Sequence, residues 1–258
     1  MPKPFIPTGL SYGWAMDMSS EVSVRLLSDG RFTLPKSLLV YGKYFGQVYE
    51  AALKPMLVIS EGEKILVDTG LGQLPEKHAR FHKVIRRENE GLEAQLRVLG
   101  IRPEEIDIVV NTHLHFDHCG KNALFRNAKF YVQADELRYA YAPDRFMKNA
   151  YVREFFDVEG LDYVLVRGRY KLTEHVLLLP TPGHTPGHQS VVVRLPNGRN
   201  VVYCGDAATL RECVERRNIP GVLWRSDAAL KSIDRLRSIR NAIYIYAHDN
   251  EQLELVLP

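Results

Sequence analysis

The sequence predicts an α/β fold, and three observations carry that prediction. Short apolar runs of strand length recur along the chain, among them Val22 to Leu27, Pro55 to Ser60, Lys64 to Asp68 and Val201 to Tyr203. Segments with the 3.6-residue period of amphipathic helices lie among them: Glu88 to Leu99, Gln133 to Ala142 and Asp227 to Arg240. Finally, the chemically conspicuous histidines and aspartates fall where strand-like runs end, which is where α/β sheets concentrate their chemistry.

Taken in order, Val22 to Leu27, Lys36 to Val40, Pro55 to Ser60 and Lys64 to Asp68 read as strands. Ser28-Asp29-Gly30 and Glu61-Gly62 supply turns, and Asp68-Thr69-Gly70 closes this section. Glu88 to Leu99 is amphipathic and stops at Gly100, which fixes it as a helix. Pro103-Glu104-Glu105 leads into a strand over Ile106 to Asn111, and Gln133 to Ala142 is the next helix. The apolar runs Val176 to Leu179, Val201 to Tyr203 and Ile243 to Tyr246 follow, with the helix Asp227 to Arg240 before the last. No low-complexity linker, internal repeat or composition shift divides the chain. Residues 1–258 are therefore expected to form a single catalytic domain, with 1–21 as an N-terminal extension or lid. At 258 residues and 45% hydrophobic content, one large core is affordable.

Composition excludes several function classes. Lys+Arg 34 against Asp+Glu 31 leaves a formal charge of +3, too small to argue for nucleic acid or an anionic membrane surface. No stretch approaches ~18 consecutive apolar residues, so no membrane span is expected, and the start has no signal-peptide core. Cys119, Cys204 and Cys213 form no Cys-x-x-Cys pair and no full disulfide set. Cys119 and Cys204 sit beside the histidine motifs but are expected to pack as small hydrophobes. These features point to a reducing, cytoplasmic setting.

The chemistry is carried by Asn111-Thr112-His113-Leu114-His115-Phe116-Asp117-His118-Cys119-Gly120. His113 and His115 are two apart, so on an extended strand end they point the same way. Asp117 and His118 follow at once, where the chain must turn, and can face a second point nearby. A buried imidazole without partners costs stability, so ordinary cores do not gather histidine this densely. The pattern is a metal-site signature. Further ligand candidates end later runs: His184 in Pro182-Gly183-His184, Asp206 in Gly205-Asp206 and His248 in Ala247-His248.

In this order the motifs resemble those of the metallo-β-lactamase superfamily. The stretches His113 to His118, Thr181 to Ser190 and Asp206-Ala207-Ala208 are most similar to its N-acyl homoserine lactone lactonase branch, with a looser match over Tyr141 to Asp157. The resemblance runs from about Ser23 to His248. It implies an αβ/βα four-layer sandwich, two mixed β-sheets face to face with helices outside. It also implies that Asp206 bridges two ions and that Asp68 orients ligand histidines without binding metal.

The ligand count then suggests one site of His113, His115 and His184 and a second of Asp117, His118 and His248, holding two divalent metal ions, expected to be Zn²⁺. Such a pair lowers the pKa of a shared water and stabilises a developing oxyanion. The expected function is a dinuclear-metal hydrolase that opens N-acyl homoserine lactones or a related small lactone by attack of the bridging hydroxide. Asp117 is the expected catalytic proton carrier. Phe116, Phe146, Tyr151 and Thr209 are the expected substrate-binding residues.

One departure from the branch stands out. Three places after the bridging Asp the lactonases carry a Tyr whose hydroxyl helps hold the substrate carbonyl, and here Thr209 occupies that place. Its shorter reach cannot make that contact directly, so Tyr12, Tyr41 or Tyr44 become candidates to replace it. Two alternatives remain open at this point: a glyoxalase II-like thioester hydrolase, and a persulfide dioxygenase-like enzyme with a single iron on His113, His184 and Asp206. A small-molecule partner, lactone or ester, is expected, together with a homodimer contact through the N-terminal segment.

Overall fold

Side chains alternate across a strand, and that alternation decides what each strand faces. Along Val22–Leu26 (β1), Val22, Val24 and Leu26 share one buried face. Along Met56–Ser60 (β4), Met56 and Val58 join that same interior, while Leu57 and Ile59 point to the opposite side of the sheet. Glu63–Val67 (β5) divides likewise, Ile65 and Val67 against Leu66. Strands apolar on both faces must be covered on both faces.

The computed structural model describes residues 22–252 and 255–257, so the expected extension over 1–21, with Tyr12, lies outside the described residues. A seven-stranded sheet runs Val256–Leu257 (β15), β1, β4, β5, Ile108–Val110 (β7), Lys129–Gln133 (β8) and Asp162–Val166 (β9). Its β1–β4–β5 part is antiparallel, with Val24 opposite Val58 and Met56 opposite Val67. From β5 to β9 it is parallel. The second sheet runs Tyr170–Lys171 (β10), Val176–Pro180 (β11), Gln189–Arg194 (β12), Asn200–Tyr203 (β13) and Ala242–Ile245 (β14), antiparallel except for the parallel pair β13–β14. A small third sheet places Arg31–Pro35 (β2) between Val48–Ala52 (β3) and Val84–Ile85 (β6).

The two large sheets bury Val24, Val58, Val67 and Val110 against Val176, Val191, Val201, Tyr203 and Ile245. Leu92–Val98 (α2) covers the outside of the first sheet through Leu92 and Leu96. Ser226–Arg237 (α6) covers the second through Ile233 and Leu236, beside Arg211–Glu215 (α5). Ala134–Tyr141 (α3) and the short helices Glu76–Ala79 (α1) and Arg153–Phe156 (α4) complete the outer shell. The expected four-layer αβ/βα sandwich is what forms. No helix among the described residues is long and apolar enough to cross a membrane.

Two expectations need correction. Lys36 to Val40 is not a strand. A 3-10 turn covers Lys36–Leu38, and the strand lies five residues earlier, where Phe32 and Leu34 are buried and Arg31 and Thr33 are not. The alternation there is short and flanked by polar residues, which hid it. The helix expected over Glu88 to Leu99 starts only at Leu92, because Asn89 is left-handed and Gly91 is extended. The Leu92 N–H is then capped from a distance by Asp29 Oδ1 at 3.0 Å. Asp29, expected only as a turn residue, is a buried hub that also accepts from the Leu71 N–H (2.8 Å), Lys121 Nζ (2.8 Å) and Arg86 (3.0 Å). It thereby ties the end of β5 to the loop after β7.

Candidate metal centre

The parallel strands β5 and β7 end together, as do β11, β13 and β14 in the second sheet, so five strand ends meet across one edge of the sandwich. Beyond β7 the chain is strapped to the end of β5. The Thr69 N–H donates to His118 O at 2.7 Å, and the Gly120 N–H to Gly70 O at 2.9 Å. Both glycines at the crossing are obligatory. A Cβ on Gly120 would lie 2.2 Å from Gly72 N, and one on Gly72 2.2 Å from Gly120 O, too close for any side chain.

This strapping turns the four ligand candidates of the loop toward the three from the second sheet. The rings of His113, His115 and His184 stand edge to face with centroids 4.5–4.8 Å apart. Their candidate ligand atoms, those of Asp117, His118 and His248, and those of His113, His118 and Asp206 form three groups, each within 4.8 Å. Asp206 joins the halves. Its Oδ1 lies 3.3 Å from His118 Nε2 and 3.2 Å from His248 Nε2, and its Oδ2 lies 3.4 Å from His184 Nε2. Asp117 Oδ2 stands 3.6 Å from both His118 Nε2 and His248 Nε2. All seven expected ligands are thus brought together.

The outer nitrogens fix which lone pairs face inward. His184 Nδ1 donates to Val222 O at 2.8 Å and His248 Nδ1 to Ala52 O at 2.9 Å. A carbonyl only accepts, so in both rings the proton sits on Nδ1 and Nε2 faces inward, that of His184 lying 2.9 Å from His115 Nδ1. His118 Nδ1 bonds Asp68 Oδ2 at 2.8 Å. Asp68 is itself held by the Thr112 N–H (2.8 Å) and hydroxyl. By contrast, His113 Nε2, His115 Nε2, His118 Nε2 and Asp206 Oδ1 are buried with no hydrogen-bond partner. Such orphaned polar atoms are costly in a folded interior. A cation answers that cost, and five imidazoles with two carboxylates are the donor set that zinc-type ions take. The residues fit a metal pair.

Electrostatics point the same way. Burial, then the neighbouring imidazoles, pushes His113 and His115 well below the usual histidine range; burial also lowers His184. Neutral imidazole is the ligating form. For His118 burial acts downward too, but Asp117, Asp206 and Asp68 outweigh it and raise the group; Asp206 and Asp117 do the same for His248. Against the cost of its own burial, His248, His118 and His184 hold Asp206 ionised far below the usual carboxylate range. Cys119 and Cys204 are buried, with thiols pushed up by that burial, and belong to none of the ligand groups.

Two positioning residues were not singled out from the sequence. His188 Nε2 accepts the Asp206 N–H at 2.9 Å, and its Nδ1 bonds Thr181 Oγ1 at 2.9 Å. The backbone of the expected bridging carboxylate, just after β13, is thereby held by a histidine just before the neighbouring strand β12. Glu136 is fully buried on α3 and accepts the Leu114 N–H (3.0 Å), the Gly187 N–H (3.3 Å) and the hydroxyls of Thr185 and Tyr151. It pins both ligand-bearing loops to one helix. The first closes Pro182-Gly183-His184-Thr185-Pro186-Gly187-His188, where His184 draws the eye, and the second is one acid of an Asp-Glu pair, a pattern that is not distinctive.

A cavity of about 320 Å³ opens over the centre. His115, Asp117, His184, Asp206 and His248 form its floor, and Phe32, Leu34, Phe116, Phe146 and Met147 much of its wall. Two of the four expected substrate-binding residues, Phe116 and Phe146, therefore line it. The other two do not. Thr209 is buried, donating its hydroxyl to Leu39 O at 2.5 Å. The Tyr151 hydroxyl is spent on Glu136, and its ring packs on His115 at 4.7 Å, behind the ligand. Tyr41 and Tyr44 are not in the lining either; the Tyr44 hydroxyl donates to Glu212.

Comparison with known proteins agrees with this geometry. The family model described as the metallo-beta-lactamase superfamily matches residues 55–248. An N-acyl homoserine lactonase, AttM, of Rhizobium radiobacter is 36% identical over 225 residues, 79% of this chain and 84% of that protein. Two solved structures each superpose with a TM-score of 0.79 at 27% identity, covering 89% of this chain and 94% of theirs. One is a B. thuringiensis AiiA variant with N-decanoyl-L-homoserine at its active site. The other is an N-acyl homoserine lactone hydrolase with N-hexanoyl-L-homoserine at its catalytic metal centre.

Proposed function

Because the chain belongs to the metallo-beta-lactamase superfamily, we propose that it is a metal-dependent hydrolase that opens the ring of N-acyl homoserine lactones. The single observation that carries this reading is the two-faced Asp206, with His118 and His248 on one oxygen and His184 on the other, beneath an apolar cavity. Likeness to lactonases over most of the chain supports the substrate class.

His113, His115 and His184 would hold one divalent ion, and Asp117, His118 and His248 the other, with Asp206 shared; zinc suits this donor set. When bound, such a pair supplies an ionised water at neutral pH and a Lewis acid for the carbonyl oxygen. The chain's own residues do the rest. Asp117 is the least buried of the seven and reaches the cavity floor, where its free oxygen can take the proton of the attacking water and return it to the departing ring oxygen. Phe32, Phe116 and Phe146 shield the acyl arm from water and hold the ring over the centre. Buried Thr209 provides no hydroxyl to the cavity, so carbonyl orientation rests on the floor residues alone. The three free, buried thiols accord with a cytoplasmic setting.

The test is proton release by zinc-loaded protein on N-hexanoyl homoserine lactone, a plain γ-lactone, a glutathione-type thioester and a phosphodiester, with His118→Ala as control. Lactone opening that the control lacks is expected. Brisk thioester cleavage with no lactone opening would reject the reading.

A further inference from the structure

His82 is the one histidine of the cavity wall outside the metal centre. It follows α1 and is partly buried. Its ring packs edge-on against Phe32 (centroids 5.6 Å) and tilted against Phe116 (5.3 Å). Phe32 in turn stands edge-on to the ligand His248 at 5.9 Å. His82 is thus one aromatic ring removed from the centre, in a wall that is otherwise almost wholly apolar. Its polar neighbour in the wall, Asn149, is exposed and carries an amide that donates and accepts alike, so it selects for neither.

The protonation pattern of His82 is set from outside the cavity. Nδ1 lies 3.0 Å from Thr33 O on β2, and since a carbonyl only accepts, Nδ1 carries the hydrogen. In the neutral ring Nε2, on the far side from that anchor, is then an acceptor with no protein partner among the described residues, on a side chain that lines both this cavity and the groove beside Leu71 and Leu74. An apolar wall with one fixed, unpaired acceptor recognises a ligand with one donor at that height. Resting on the lactone reading above, we infer that His82 is a specificity-determining residue whose Nε2 accepts the amide N–H of the acyl arm. The amide nitrogen is bonded to the ring carbon next to the reacting carbonyl, so it sits at the boundary between the polar floor and the apolar wall. Lactones lacking that hydrogen leave Nε2 unpaired against an apolar substituent, and the unmade bond works against them.

The test compares N-hexanoyl homoserine lactone with its N-methyl derivative, which has no amide hydrogen, in wild type, His82→Phe and His82→Gln. Wild type should favour the N–H lactone by about three- to tenfold in KM, the worth of one neutral hydrogen bond. His82→Phe keeps a flat ring of similar size and should lose that preference; His82→Gln, with an amide oxygen to offer, should recover part of it. Calorimetric Kd values for the two ring-opened products should show the same pattern, a readout that a merely structural role of His82 would not move. A preference that survives in His82→Phe overturns the inference. Wild type that opens neither lactone overturns the functional reading and this one with it, a result distinct from turnover whose ratio does not change.

Discussion

Replacing Asp68 by Asn removes one negative charge from behind His118 and leaves the shape intact. Position 68 is left-handed, φ 58°, which Asn tolerates as well as Asp, so the backbone has no reason to move. The amide must choose an orientation. Thr112 N–H donates to Oδ1 at 2.8 Å and cannot turn away, so the oxygen stays on that side and the NH₂ falls where Oδ2 met His118 Nδ1 at 2.8 Å. Facing a donor, Nδ1 must present a lone pair, which drives the imidazole proton to Nε2. That atom points at Asp206 Oδ1 and Asp117 Oδ2, into the space of the proposed second ion. Losing a hydrogen bond to a charged group costs about 1.5–3 kcal/mol. That corresponds to the roughly 10- to 100-fold loss of affinity expected when a ligand's supporting partner is altered. Chelator-competition titration should find one equivalent of zinc held as in wild type, by His113, His115 and His184, and a second weakened by that factor. Two equivalents at wild-type affinity in Asp68→Asn would refute the tautomer argument.

Three further outcomes are expected. Chelation should abolish hydrolysis and lower the melting temperature, both restored by zinc, because an ion bound only by the folded state stabilises it by mass action; an unchanged melt after complete metal removal would speak against the centre. Burial pushes the Lys54 amine down to about 7 against the pull of Asp249, and its Nζ donates to Asp249 O (2.7 Å) and Gln252 O (2.9 Å). Between about pH 7 and the ordinary value of 10.5 the unfolded chain therefore holds a proton that the folded chain has lost. Stability should rise with pH across that window, by at most about 1.4 kcal/mol per unit. Denaturant titrations of wild type and Lys54→Met with the same slope would contradict this. Gly120→Ala should cost about 3 kcal/mol or more, since its Cβ meets backbone that cannot yield; a melting point within about 2 °C of wild type would show that the strap relaxes.

The candidate ligands are legible because their signal is contiguous. His113, His115, Asp117 and His118 share six positions, and the remaining three each close an apolar run. The sandwich came with the family resemblance, and the parity of Val22, Val24 and Leu26 against Leu57 and Ile59 shows why it forms. What escaped depends on contacts between distant segments. The carboxylate that starts α2 is Asp29, 63 residues away from Leu92, and no local pattern announces such a cap. The strand at Arg31–Pro35 has only Phe32 and Leu34 to mark it. Thr209 stands three places after Asp206, a position that suggests a pocket residue, yet a hydroxyl that finds a backbone carbonyl at Leu39 turns inward to satisfy it. His188 shows the reverse case, a residue within the Thr181 to Ser190 stretch whose task appears only once β12 and β13 are paired.

Four of the seven candidate ligands hang from the first sheet and three from the second, so neither half of the sandwich owns a complete coordination sphere. Ions held there would act as a clasp between two hands. A backbone cut at the exposed bend Gly168-Arg169, between β9 and β10, should yield fragments that stay joined while the clasp is shut and part more readily once a chelator opens it. Closing of the sandwich and completion of that coordination sphere are, in that sense, one event.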